Sequence, residues 1–145
     1  RILSGGGLTF NGDTAQANAL DDYEEGNGTP TVGFEVSGTA TIGAGASFKY
    51  VKTGDLVTFS FEFSLTAASN PAGGVKINLP FASGAGVYSA GAVRLYNVTF
   101  TGSPFLQIGP SSSHVVVLGS VSGTSNSQIN DPGFYFGTIS YRTSP

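Results

Sequence analysis

Over residues 57–65 the chain alternates with a period of two. Val57, Phe59, Phe61, Phe63 and Leu65 share one parity, and Thr58, Ser60, Glu62 and Ser64 occupy the other. Successive side chains on a β-strand point to opposite faces, whereas a helix gathers every third or fourth residue on one side. Residues 50–65, "YVKTGDLVTFSFEFSL", therefore read as one long strand with an aromatic inner face and a hydroxyl-rich outer face. Three phenylalanines in line need an opposing layer of comparable size, and elsewhere the chain offers strands rather than helices to supply it.

Shorter stretches carry the same signature. "TVGFEV", "TATI" and "SFKYVK" precede a turn at Thr53-Gly54 and the aromatic ladder. "SNPAGG" at residues 69–74 reads as a loop from its Asn-Pro and Gly-Gly pairs, and "VKINLPF" as a short strand interrupted by Pro80. After a "SGAG" turn come "VYSAGAVRLYNVTF" (87–100), "FLQI" (105–108), "HVVVLGSV" (114–121) and "FYFGTISY" (134–141). Between them lie the loops "GPSSS" and "SGTSNSQINDPG", the second long, polar and free of aromatics. Eight or so strands, no convincing helix and no internal repeat predict an all-β fold, a β-sandwich and most economically a jelly roll. "HVVVL" is apolar on both parities, which suits a strand covered on both faces, at the centre of the sandwich or against a second subunit.

Composition narrows the partners. At 145 residues the chain suits one domain with a core that needs no staples. It has no cysteine, hence neither a disulfide framework nor a thiolate metal site. It also has no methionine, so a chain that starts at Arg1 reads as a piece of something longer. Charged residues make up only 10%, against about 25% in an average soluble domain, which leaves Ser, Thr and Asn to cover the surface. Such a neutral, hydroxyl-rich surface suits durable extracellular particles and carbohydrate contact. From Asn27 onward four acids (Glu35, Asp55, Glu62, Asp131) face five bases (Lys49, Lys52, Lys76, Arg94, Arg142) with no basic cluster, so the footprint that nucleic acid requires is missing. No apolar run approaches a membrane span, and no cofactor motif or phosphate-binding glycine loop occurs.

The first 26 residues differ in kind. Ile2, Leu3, Leu8, Phe10, Leu20 and Tyr23 are scattered among glycines and polar residues, with Asp13, Asp21, Asp22, Glu24 and Glu25 opposed by Arg1 alone. This segment cannot close a core by itself: it is either a disordered tail or, the preferred reading, an extended segment lying against other copies of the chain; "NALDDY" suits one helical turn. The expected division is a stem or linker over residues 1–26 and a sandwich head over residues 27–145.

Catalytic chemistry finds little to work with. The single histidine, His114, follows Ser111, Ser112 and Ser113, with Asp131 as the one acid that would have to approach it, and no nucleophile elbow surrounds the serines. Glu62, on the outer face of the ladder, is expected to pair with Lys49 or Arg94 from a neighbouring strand. Zinc has no ligand set, the calcium-loop pattern is absent, and no catalytic or metal-binding residue is expected. Loops remain as binding elements. Sugars are held by amides, hydroxyls and carboxylates beside an aromatic ring, which Asn126, Gln128, Asn130 and Asp131, together with Ser111, Ser112, Ser113 and His114, supply, with Tyr88 and Tyr96 as candidate rings.

"ALDDYEEG", then "TPTV", "YVKTGDLVTFSFEFSL" and the "LPF" of residues 79–81 resemble the carboxy-terminal head domains of bacteriophage tail fibre and tail appendage proteins. The resemblance is strongest over residues 20–81 and rests on strand spacing beyond them. Members of that family carry an aromatic residue soon after "YEEG", where this chain has Asn27 and Gly28. The resemblance implies a homotrimer at the distal tip of a virion tail fibre, each head a jelly roll similar to tumour-necrosis-factor and C1q heads, binding a host cell-surface glycan or protein receptor. It brings no catalytic motif, and it makes residues 1–26 the end of a fibre shaft. Two other classes share the fold: a purely structural virion component without ligand, and a polysaccharide-degrading tail enzyme with two carboxylates across a groove.

Overall fold

A computed structural model describes residues 23–86, 88–100, 102–120 and 126–144. Among these residues every regular element is a strand: β1 (Tyr23–Gly28), β2 (Val32–Phe34), β3 (Ser37–Ile42), β4 (Ser47–Thr53), β5 (Leu56–Ala72), β6 (Val75–Asn78), β7 (Ser89–Tyr96), β8 (Ser103–Ile108), β9 (His114–Ser120), β10 (Asn126–Gln128) and β11 (Gly133–Arg142). Antiparallel pairing joins them in the order β1-β4-β5-β11-β7-β8-β9-β6-β2, with β3 on the far half of β5 and β10 on β9.

Strand β7 turns this ribbon into two layers. Its residues 92–96 pair with β11 and its residues 89–91 with β8, so it closes a first sheet (β1-β4-β5-β11-β7) and opens a second (β7-β8-β9-β6-β2). The crossing is tightest at Gly91, where a Cβ would lie 2.7 Å from both the Ile139 Cβ and the Thr138 carbonyl oxygen. Only a residue without a side chain lets the backbone pass so close to β11.

One apolar core fills the space between the sheets. Val57, Phe59, Phe61, Phe63 and Leu65 of β5 are at most 4% exposed and meet Tyr135, Ile139 and Tyr141 of β11, with Val75, Ile77, Leu106, Ile108, Val115 and Val117 opposite. Cross-strand register sets Phe63 against Tyr135, whose rings stack 5.0 Å apart, and Phe59 against Ile139. Gly137 faces Phe61, whose ring takes the missing side chain's place; a Cβ there would lie 2.6 Å from the Phe61 Cζ. Each fully buried ring contributes about 1.5–3 kcal/mol through its area alone. Both core phenols stay satisfied: Tyr135 donates to the Asp131 carbonyl at 2.6 Å and Tyr141 to the Phe81 carbonyl at 2.9 Å. Burial pushes both hydroxyls up from the usual tyrosine range, that of Tyr141 to about 12.

The alternation over residues 57–65 is thus the inner face of β5, and the all-β expectation holds. Several boundaries differ from those the sequence suggested, for reasons that lie in pairing. Residues 50–65 form two strands, not one: β4 ends at Thr53 opposite Leu56, so Tyr50, Val51 and Lys52 run back beside the ladder. "SNPAGG" is not a loop from its first residue, because β3 pairs along β5 from Ile42 opposite Leu65 to Ser37 opposite Ala72. Its Asn-Pro pair occupies the register shift between Ser37 and Thr39, a bulge that accepts Asn70 at a φ of 47° and Pro71, which has no N–H to give. β7 stops at Tyr96, short of residue 100, where Asn97 turns the chain at a φ of 57°. Inside the expected 122–133 loop, β10 pairs with residues 118–120 of β9.

"HVVVL" is covered on both faces within a single chain. Val115 and Val117 enter the core, and Val116 and Leu118 are buried on the opposite side. Strand β1 pairs with β4 from Tyr23 opposite Thr53 to Gly28 opposite Phe48, so the expected boundary between residues 26 and 27 falls within a strand. Residues 1–22, with most of the expected stem and of the "NALDDY" turn, lie outside the described residues.

Candidate functional site

The same alternation that sends Phe59, Phe61 and Phe63 inward sends the intervening residues of the first sheet outward, and most of these are small hydroxyls: Thr58, Ser60 and Ser64 on β5, Thr138 and Ser140 on β11. One part of the face breaks that rule. Phe134, Phe136 and, on β7, Tyr96 also point outward, 42%, 37% and 55% exposed. Phe134 and Phe136 are two residues apart on one strand, with centroids 6.4 Å apart and planes 12° from parallel; Tyr96, directly across from Phe134, lies 6.0 Å from it at 47°. They form a continuous aromatic stripe.

Register places polar groups beside that stripe. Ser47, Glu62, Phe136 and Arg94 lie side by side on β4, β5, β11 and β7, and the neighbouring row runs Lys49, Ser60, Thr138. Three depressions result and share Phe136: about 500 Å³ lined by Arg94, Tyr96, Phe134 and Phe136, about 330 Å³ among Ser47, Lys49, Ser60, Glu62 and Thr138, and about 250 Å³ bounded by residues 44–46, Ser64 and Phe134. Together they make one open groove across the sheet.

Within the groove Ser47 Oγ donates to the Glu62 carboxylate at 3.2 Å, and Thr138 Oγ1 donates to Ser60 Oγ at 3.2 Å. The expected pairing of Glu62 with Lys49 or Arg94 does not form. Phe136 stands between Glu62 and Arg94, and neither Arg94 nor Lys49 has an ion-pair or hydrogen-bond partner among the described residues. By contrast Arg142 is held by Asp55 at 2.6 Å, a hydrogen bond that keeps the Asp55 carboxyl below its ordinary range.

Of the residues expected from sequence to bind a ligand, Tyr96 alone lines this groove. Tyr88, 70% exposed, stands at the other end of β7 beside Gly109. The serines next to it close a loop. Ser111 N–H donates to the Gly84 carbonyl, Ser112 N–H to Ser83 Oγ and Ser112 Oγ to the His114 carbonyl, while the Ser113 carbonyl accepts from Leu79 N–H. His114 is half-buried, and loss of hydration, helped by the Lys76 charge, holds its imidazole below the ordinary histidine value. Asn130 donates to the Gly73 carbonyl and Asp131 accepts from Tyr135 through its backbone, so both also serve the fold. Asn126 and Gln128 are placed by the β10 backbone opposite Ser120 and Leu118.

These two loops do not converge. They lie at opposite ends of β9, whose seven residues hold them about 20 Å apart. A chain of backbone bonds from Ser111 to Gly84, Gly84 to Arg142 and Thr143 to Asp55 ties the serine loop to the end where Tyr23 enters, leaving residues 129–133 at the far end. Sequence reasoning missed Phe134 and Phe136 because "FYF" is aromatic on both parities, and it expected Arg94 only as an ion-pair partner of Glu62. The signal was present in "GTISY" and "AVRLY", whose alternation assigns even-numbered residues of both strands to the outer face.

In fold, the chain is similar to the crystal structure of the Dettilon tailspike protein, with a TM-score of 0.67 over 83% of this chain at 18% sequence identity. The match takes up 23% of the tailspike chain. No protein-family model and no curated protein matches the sequence.

Proposed function

We propose that the chain is the head domain of a bacteriophage tail fibre or related tail appendage, a jelly-roll-like sandwich that assembles as a homotrimer at the distal tip of the virion's tail fibre, outside the cell, and binds a host cell-surface receptor, by preference a glycan. The tailspike-like fold supports the viral assignment. The observation that carries the binding assignment is the outward aromatic stripe of Tyr96, Phe134 and Phe136 on a face otherwise covered by hydroxyls. Three copies of a shallow, weak site on one fibre raise the effective concentration of the second and third contacts, so modest affinity per site suffices.

The reading is non-enzymatic. Glycosidases of the two-carboxylate type need a pair of acids facing each other across the substrate. Among the described residues Glu62 is the one acid lining the three depressions of the groove, and Glu24, Glu25, Glu35 and Asp55 elsewhere each accept a hydrogen bond, from Tyr50, Tyr23, Gly74 and Arg142.

The test is to measure the solution mass of the purified chain and its adsorption, as a fluorescent conjugate, to a panel of bacterial strains. A trimer that coats some strains, and releases no reducing sugar from them, is expected. A monomer that adsorbs to none would end the proposal.

A further inference from the structure

We infer that the groove on the first sheet takes an acidic saccharide, its pyranose ring lying on Phe136 and Phe134 and its carboxylate held by Arg94. This rests on the reading of the protein as a glycan binder and names the class of glycan and the residues. Three of the four residues that line the main depression are exposed rings, and a pyranose offers what they lack, a flat C–H face of phenyl size. Its hydroxyls radiate in the plane of the ring, so their partners must flank the platform. Adjacent strands stand about 4.8 Å apart, and the cross-strand row puts Glu62 on one side of Phe136 and Arg94 on the other. Glu62 accepts from hydroxyls and Arg94 donates.

Charge selects among sugars. The chain carries a formal net charge of −3, yet this groove holds two cations, Arg94 and Lys49, against one acid, Glu62, whose carboxylate already accepts from Ser47. Arg94 has no anion to pair with among the described residues, and a guanidinium fork matches a carboxylate in bidentate geometry. A second copy of the chain would also cover the rings. It would then bury Lys49, Glu62 and Arg94 within the contact, whereas the cores of protein interfaces are depleted in lysine and glutamate, so a small, hydrated, anionic ligand fits the face better.

The experiment prints uronate-containing bacterial polysaccharides on an array beside the same polysaccharides after carboxyl reduction, which turns each uronate into a neutral hexose. Wild type, Phe136→Ser and Arg94→Gln chains are applied after their mass and circular dichroism are matched. Wild type is expected to retain at least one uronate polymer and to bind its reduced form about tenfold more weakly or worse. Phe136→Ser should lose both forms, and Arg94→Gln should lose only the preference for the acid. Equal binding of native and reduced polymers, or a preference that survives Arg94→Gln, overturns the acidic-sugar inference and leaves glycan binding standing. Strains coated by a protein that retains no saccharide would overturn glycan binding too. If Phe136→Ser converts an oligomer to a monomer, the groove is a contact between copies and the inference falls.

Discussion

Strand β11 presents aromatic rings on both sides, and the two sides are built differently. Inward, Tyr135 and Tyr141 are almost fully buried, one stacked on Phe63, and both phenols donate to backbone carbonyls. Outward, Phe134 and Phe136 remain more than a third exposed, packed against each other and against Tyr96 on a face otherwise made of hydroxyls. The inner rings are accounted for by the fold, since removing them would open a cavity. The outer rings contribute less to the fold, and the proposed saccharide site rests on them.

Three measurements sharpen or break that contrast. The largest effect belongs to the core: Phe59→Ala, a truncation in the middle of the ladder, is expected to cost about 3–5 kcal/mol in denaturant unfolding. A loss below about 1 kcal/mol would mean that the ladder is not the core of the fold.

Alkaline pH should have an intermediate effect. The core phenols titrate above their unfolded value of 10.0, Tyr141 at about 12 and Tyr135 higher, because burial disfavours the phenolate. Between those values the unfolded chain has released protons that the folded chain retains, so the unfolded state is favoured as pH rises. Stability is therefore expected to be flat up to about pH 10, the ordinary tyrosine value, and to fall above it. Tyr141→Phe, which removes one of the two phenols, should reduce the fall. A stability curve level to pH 12 would show that these hydroxyls reach solvent.

The smallest effect is expected on the outer face. Phe136→Ser should cost about 1 kcal/mol in unfolding free energy, the loss of one strand-favouring, cross-strand ring on an outer face. A loss of several kcal/mol would place Phe136 among the structural rings and erase the distinction between the two sides of β11.

The same two faces mark what the sequence made legible. On β5 the polar residues Thr58, Ser60, Glu62 and Ser64 alternate so strictly that the inner face follows from residue type alone. On β11 three consecutive aromatics erase the period, and which of them faces inward is decided by register against β5, a property of pairing that a single segment does not encode. The bulge at Asn70-Pro71 reads as a loop for a related reason. Breaker residues signal a loop only where no neighbouring strand supplies ladder bonds, and β3 supplies them. The two loops expected to bind lie apart because β9 separates their ends by its full length, whereas the groove is assembled across the β4–β5 hairpin and the strands β11 and β7, distant from it in sequence. Tyr96 was found as a ring, but its companions were not.

Strand β7 carries one more implication. Because its two halves hydrogen-bond to different layers, loss of the whole strand would leave the facing edge of β8 and the outer edge of β11 unpaired together. One strand is thus common to both layers, and they cannot be parted without breaking its pairing to one of them.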